Sequence, residues 1–183
     1  MGIQAKPSAG SWTQNYPELG TEPVNYTDSI DPAIFEEERE AIFKRTWLNV
    51  GRVEQLARTG SYFTKELTVA RTSLIVVRAP DNVIRAFHNI CRHRGNKLAW
   101  NDFPGEETAG VCRQFTCKYH ASRYGLDGAL GFVQQEQEFF ALDKSRYGLK
   151  EVRCEVWEGF IFVNLNPDAT SLIQYLGPLA EGL

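Results

Sequence analysis

The chain has 183 residues, 43% of them apolar and 12% aromatic, with a formal charge of −3 from 20 basic and 23 acidic side chains. That composition supports one packed domain with at most a terminal extension, and it argues against a nucleic-acid or acidic-membrane binder. No run of about 18 apolar residues is present, so no membrane span is expected; the opening "MGIQAKPSAGSWTQNYPELG" lacks the apolar segment of a secretory signal, and Lys6 interrupts the myristoylation pattern that Met1-Gly2 begins.

Residues 1–28, rich in Pro, Gly, Ser, Thr and Asn, read as an extended arm. "DPAIFEEEREAIFKRTW" then reads as one helix. Asp31 can cap it and Pro32 suits its first position. Ile34, Phe35, Ile42 and Phe43 give it an apolar side, and Glu36, Glu37 and Glu38 against Lys44 and Arg45 suit its two ends. From Trp47 the pattern turns to β. "WLNVGRV", "YFTKEL", "SLIVVRA" and "VIRAFHN" are short, β-branched and aromatic, with Pro80-Asp81-Asn82 as the turn between the last two. "CRQFTC" is a further strand candidate, and "QQEQEFF" is a short helix or an exposed loop. "VRCEVW" and "GFIFVNL" form a hairpin around Glu158-Gly159, and "TSLIQYLGPL" a last short helix. Phe160, Phe162 and Leu165 cannot share one face of a regular strand, so both faces should be partly covered. The expected fold is mainly antiparallel β from about 47 to 165, behind an N-terminal helix.

Two loops carry the chemistry. Cys91-x-His93 is followed by 23 residues and then Cys117-x-x-His120. A cysteine and a histidine two apart suit a loop rather than a helix, where such side chains diverge, and Gly95 permits the backbone reversal. Arg92, Arg94 and Lys118 alternate with the ligand candidates and would offset thiolate charge. Three metal readings compete. A Cys₂His₂ zinc clamp usually draws both cysteines from one loop and both histidines from the other. A catalytic zinc site of the deaminase type lacks its Glu and its Pro-Cys-x-x-Cys half here. A Rieske-type [2Fe–2S] cluster explains the mixed pattern best, because two thiolates hold one iron and two imidazoles the other. Cys112 and Cys154 have no ligand partner nearby and read as buried small apolar residues, which points to a reducing, cytoplasmic setting rather than a disulfide scaffold. His88, in "RAFHN", reads as a satisfied core side chain.

"WLNVGRVEQL", "GSYFTKEL", "LIVVRAPDNVIRAFHNICRHRG", "FTCKYH", "YGLDGAL" and "VWEGFIFVNLNPD", in this order, resemble the N-terminal Rieske domain of the large (α) subunit of bacterial ring-hydroxylating oxygenases. The resemblance implies a Rieske-type antiparallel β-sandwich over 47–166, preceded by an arm and helix over 1–46 and followed by the start of a linker over 167–183. It implies a [2Fe–2S] cluster held by Cys91, His93, Cys117 and His120, with the thiolates deep and the imidazoles near the surface. It also implies a one-electron role that needs no acid or base residue. The bc-type disulfide positions are Asn96 and Tyr119 here, which implies the lower-potential branch. Around the cluster, Arg92, Arg94, Gly95, Lys118, Tyr119, Ser122, Arg123 and Tyr124 are the surrounding and docking candidates. The four cations form a patch for an acidic donor.

In this family a ferredoxin or a flavin/iron–sulfur reductase supplies electrons. A mononuclear Fe(II), held by two histidines and a carboxylate in a C-terminal helix-grip α/β domain, receives them, and the subunits form homotrimers with or without a β subunit. With His93 and His120 used, only His88 remains of three histidines, so the second iron site is expected outside this sequence. A standalone Rieske ferredoxin-like protein is the alternative, and a zinc-stabilised β-domain a weaker one. Two departures stand out. "HASRY" places Ser122 where the family commonly has Trp, implying a looser, wetter pocket, and "WNDFPGEETAGV" extends the span between the loops as an acidic hairpin tip.

Overall fold

The computed structural model describes residue 23, residues 26–103 and residues 105–181, so the arm expected over 1–28 lies almost wholly outside it. The chain divides into a unit through Glu36 and a larger one from Glu37 onward. In the first, Thr27–Ile30 form helix α1, which starts inside the expected arm, and Pro32 opens α2 (Pro32–Glu38). The Asp31 carboxylate accepts from Ala33 N at 2.8 Å, as the capping expectation requires.

The single long helix foreseen after Asp31 is not formed. At Arg39–Phe43 the coil widens into a π-helical turn. The side chain buried there is Arg39, whose Nε donates to Val69 O at 2.6 Å, whereas Ile42 stays 52% exposed. One buried guanidinium with a fixed acceptor thus sets this turn, not the apolar stripe.

The larger unit is antiparallel β. Its strands are β1 (Leu48–Arg52), β2 (Ser61–Leu67), β3 (Thr72–Arg78), β4 (Ile84–His88), β5 (Ala109–Val111), β6 (Phe115–Thr116), β7 (Arg123–Tyr124), β8 (Leu130–Phe132), β9 (Glu151–Trp157) and β10 (Phe160–Asn164). Seven form one sheet in the order β1-β10-β9-β4-β3-β2-β5, and β6-β7-β8 form a second. The run Leu74-Ile75-Val76-Val77 is fully buried on both faces of β3. Ile75 and Val77 join Phe87, Phe115, Tyr124 and Leu130, which places the small sheet against the large one. Leu74 and Val76 join Val50, Phe63, Ile161 and Val163, where the large sheet curls back on itself. Period-2 alternation on a two-sided strand produces these two cores.

Turns fix the registers. Asn82 (φ 65°) lies in the β3–β4 connection, where Asn82 N donates to Ala79 O. Both Asp81 carboxylate oxygens accept from Arg85, at 2.8 and 2.7 Å, and this pairing first of all holds the Asp81 carboxyl down at about 2. Glu158 (φ 48°) and Gly159 (φ 77°) make the tight β9–β10 hairpin turn, as the sequence suggested. The interloop extension is exposed over residues 101–103 and 105–107, as an acidic tip would be, but its last residues form β5 along the β2 edge, and Glu107 accepts from Lys65 and Glu66 N. α3 (Leu172–Leu176) starts with a Ser171/Gln174 capping box and buries Leu172. Among the described residues no helix is long and apolar enough to cross a membrane.

Between β7 and β8 the chain reverses through Gly125 and Gly128, the latter at φ +83°. A Cβ at Gly128 would stand 2.5 Å from Cε1 of buried Phe87. Gly128→Ala is therefore expected to lower unfolding stability by about 3 kcal/mol, from the clash together with the left-handed backbone. Urea titration of the two proteins measures this.

Candidate metal centre

The two ligand loops are built alike. In the first, Gly95 N donates to Cys91 O (3.0 Å) and Cys91 N to Asn96 O (2.8 Å). In the second, Ala121 N donates to Cys117 O (3.0 Å) and Cys117 N to Ser122 O (2.9 Å). Each loop thus closes on its cysteine through the same two backbone bonds. Each also turns at the fifth residue in the left-handed region, Gly95 at φ 74° and Ala121 at φ 59°. Glycine adopts that conformation freely; Ala121 adopts it at a cost of about 1–2 kcal/mol.

The geometry sorts the donors by depth. Cys91 and Cys117 are 2% and 3% exposed, whereas His93 is exposed and His120 half-buried. The two imidazole centroids are 4.8 Å apart at 60°. Nδ1 of His120 is buried and has no hydrogen-bond partner among the described residues. A buried nitrogen left unpaired costs free energy unless something binds it. Among the described residues no three His, Cys, Asp or Glu side chains are grouped to hold one metal ion. Two thiolates and two imidazoles would suit a group that holds two irons.

The expected surrounding residues are placed as follows. Tyr124 is fully buried, and its hydroxyl accepts from Arg92 N at 3.0 Å while lying 3.3 Å from Cys91 Sγ. A Cys91 thiolate can only accept, so in that form of the sulfur the phenol proton points at it. Burial first, and then Cys91, push the Tyr124 hydroxyl well above the usual phenol range, which keeps it a donor. Tyr119 stacks on His120 at 3.7 Å, and the Arg94 guanidinium lies 5.9 Å from the Tyr119 ring. Lys118 sits over Trp100 at 3.8 Å and donates to its carbonyl, while Arg123 covers Phe132 at 4.5 Å. All four cations, Arg92 included, are exposed. Asn96 Nδ2 lies 3.9 Å from Cys117 Sγ, where it serves as a weak donor.

Ser122 is buried, yet it lines a cavity of about 580 Å³ beside His93 and His120. Cys112 and Cys154 are only partly buried, a correction to the sequence reading. Burial raises both thiols, to about 11 and about 12. His88 lies 3.0 Å from Thr72 Oγ1 through Nδ1, in a pocket it shares with Cys91, Arg92 and Gly95; burial and then Lys150 lower its pKa and favour the neutral ring.

One organising residue escaped the sequence reading. Asn89 is fully buried. Its Oδ1 accepts from Leu98 N and Ala99 N, and its Nδ2 donates to Ser73 Oγ and Ala99 O. Ser73 in turn donates to Glu66, which also pairs with Lys97 at 2.7 Å. This network ties the chain entering and leaving the first loop to β2 and β3. An asparagine between the end of a strand and a ligand cysteine is the signal that could have found it.

Comparison with known proteins agrees with this arrangement. Residues 46–151 match the model of the Rieske [2Fe–2S] domain. The chain belongs to that family. The mixed Cys/His loops of this Rieske domain are therefore those of an iron–sulfur protein rather than a zinc clamp. It is 36% identical to the carnitine monooxygenase oxygenase subunit of Escherichia coli (strain K12), over 88% of the chain and 41% of that relative. It is 39% identical to the large oxygenase component of the naphthalene 1,2-dioxygenase system of Pseudomonas aeruginosa, over 80% of the chain and 32% of that relative. Among solved structures, a quaternary ammonium Rieske monooxygenase superposes with TM-score 0.78 at 29% identity, covering 87% of the chain and 44% of that structure. A naphthalene 1,2-dioxygenase superposes with TM-score 0.75 at 35% identity, covering 85% and 34%. The chain thus spans less than half the length of these relatives.

Removing the hydroxyl that faces Cys91 should leave the fold intact and change the redox balance. A hydrogen bond to sulfur favours the more negative, reduced form. Tyr124→Phe is expected to lower the midpoint potential by about 60 mV, the equivalent of about 1.4 kcal/mol for one electron. Protein-film voltammetry of the two proteins reads the difference.

Proposed function

We propose that this Rieske domain is the electron-entry module of a ring-hydroxylating oxygenase, in which Cys91 and Cys117 hold one iron and His93 and His120 the other. When bound, the cluster supplies one-electron redox chemistry. The observation that carries the reading is the pair of identically closed loops, with buried sulfurs and adjacent imidazoles. The protein's own groups set the conditions. Arg92 N–H fixes the Tyr124 hydroxyl, which directs a proton at Cys91 Sγ. The imidazole edge, half-exposed through His120 and open through His93, gives a short path to a partner. Arg92, Arg94, Lys118 and Arg123 are exposed cations that neighbour the ligand residues in the chain, a charge that suits an acidic ferredoxin or a flavin/iron–sulfur reductase as donor.

The acceptor we assign is a mononuclear Fe(II) site outside the sequence given, since His88 is its one remaining histidine and is engaged with Thr72. The parallel to oxygenase subunits supports this acceptor, and we carry over to this chain the homotrimeric assembly that the sequence resemblance implies. In that arrangement residues 47–166 are the Rieske domain and 167–183 begin the connection onward. The substrate belongs to the acceptor site. Redox titration of the holoprotein tests the proposal. A reversible one-electron couple toward the lower end of the Rieske range, about −150 to +300 mV, supports it. The absence of any one-electron couple in that range contradicts it.

A further inference from the structure

We infer that Glu66 is a positioning residue for the metal centre: one of its carboxylate oxygens holds both ends of the first ligand loop and cancels the charge of Lys97 beside that loop. The inference rests on the iron–sulfur reading above. Glu66 lies on β2, far from both loops in the sequence, and its Oε1 is a meeting point. Lys97 Nζ donates to it at 2.7 Å and Ser73 Oγ at 2.6 Å. Lys97 follows Asn96, whose carbonyl closes the loop on Cys91 N. Ser73 accepts from Asn89, which stands before the loop and binds Leu98 N and Ala99 N after it. The entry and the exit of the loop therefore share a single acceptor in β2.

The charge matters as much as the geometry. The Lys97 and Glu66 side chains are 26% and 24% exposed, so water and salt screen them less than ions on the open surface. Asn96 Nδ2 donates to Lys97 O at 2.7 Å and lies 3.9 Å from Cys117 Sγ, which puts Lys97 next to a side chain that reaches a ligand sulfur. The neighbouring pair, Lys65 and Glu107 at 3.0 Å, is more open to solvent and joins β2 to the interloop extension instead of the ligand loop. A centre that gains one negative charge on reduction responds to each uncompensated neighbour. A lone Lys97 cation would favour its reduced form, and a lone Glu66 anion its oxidised form. Paired, the two cancel, and the loop has an anchor without a net charge. An ion pair withdrawn from water suits this use, because it fixes one geometry better than it adds stability.

Variants of the holoprotein test both roles. Glu66→Gln keeps an acceptor oxygen and loses the charge; Lys97→Met keeps the length of the side chain and loses the opposite charge. The first is expected to raise the midpoint potential and the second to lower it, each by about threefold in the ratio of reduced to oxidised protein, or about 30 mV. The double variant should return to the potential of the unsubstituted protein, and Lys65→Met should leave it unchanged. Shifts of the same sign in the two single variants, no shift in either, or a shift in Lys65→Met as large as in Lys97→Met would overturn the charge role. For the anchoring role, Glu66→Ala is expected to speed hydrogen exchange of the Leu98 and Ala99 amides at least about tenfold, and Glu66→Gln by about twofold or less. Unchanged exchange in Glu66→Ala, or equal acceleration in both, would overturn it. If Glu66→Ala fails to fold, acceleration in Glu66→Gln above about twofold is the overturning result. Exchange needs no cluster, so an unsubstituted protein without a one-electron couple would refute the redox reading while the two amides still decide whether Glu66 anchors the loop.

Discussion

Cys91→Ser and Cys117→Ser are each expected to strip the protein of its iron, from about two atoms per chain to near none, with loss of visible absorption. Both sulfurs are buried at the base of their loops, and each loop closes on its cysteine backbone. A serine hydroxyl keeps that backbone closure but offers iron a poor, largely protonated ligand. Folding and metal binding are coupled in such sites, so the loops should also lose protection against proteolysis. Cys112→Ser and Cys154→Ser are the controls. Both thiols are partly buried and stand outside the two loops, and iron content should be unchanged in either variant. Colorimetric iron assay and visible absorption on the four purified variants check all of this.

Asn89→Ala is expected to destabilise the protein by about 3–5 kcal/mol and to loosen the first loop. The substitution leaves Leu98 N–H, Ala99 N–H and Ala99 O buried without their partner, at about 1–3 kcal/mol for each group that finds no replacement. It also cuts the link to Ser73 and through it to Glu66 and Lys97. Asn89→Asp keeps the acceptor for the two N–H groups, and at about pH 4, where so buried a carboxyl stays protonated and its O–H can donate to Ala99 O, its loss should be about half as large. Urea unfolding gives the stabilities, and the rate at which a chelator removes iron reports the loop. Equal losses for Ala and Asp would contradict the role assigned to Oδ1.

The long strands were legible because their physics is local. "SLIVVRA" is long enough and β-branched enough to declare a strand, and Glu158-Gly159 announces its hairpin. The ligand loops were legible because only a mixed Cys/His set at short spacing explains them. Strands β6, β7 and β8 were not fully read, since two or three residues cannot display a period of two; pairing across the small sheet defines them. β5 was hidden inside a polar stretch and owes its existence to the β2 edge and to Thr64, which exchanges hydrogen bonds with Thr108. The π-helical turn was missed because a buried arginine, Arg39, overrode an apolar pattern that is regular in the sequence. Asn89 was missed for the related reason that a polar residue reveals its partners only when the fold assembles them.

Electron paramagnetic resonance of the dithionite-reduced holoprotein, with iron and acid-labile sulfide quantified on the same sample, tests the central assignment most directly. The account predicts about two irons and two sulfides per chain, and a rhombic signal whose average g lies clearly below that of an all-cysteine cluster, because two imidazoles replace two thiolates on one iron. A sample with an all-cysteine signal, or one that is silent and holds zinc in a one-to-one ratio, would contradict it.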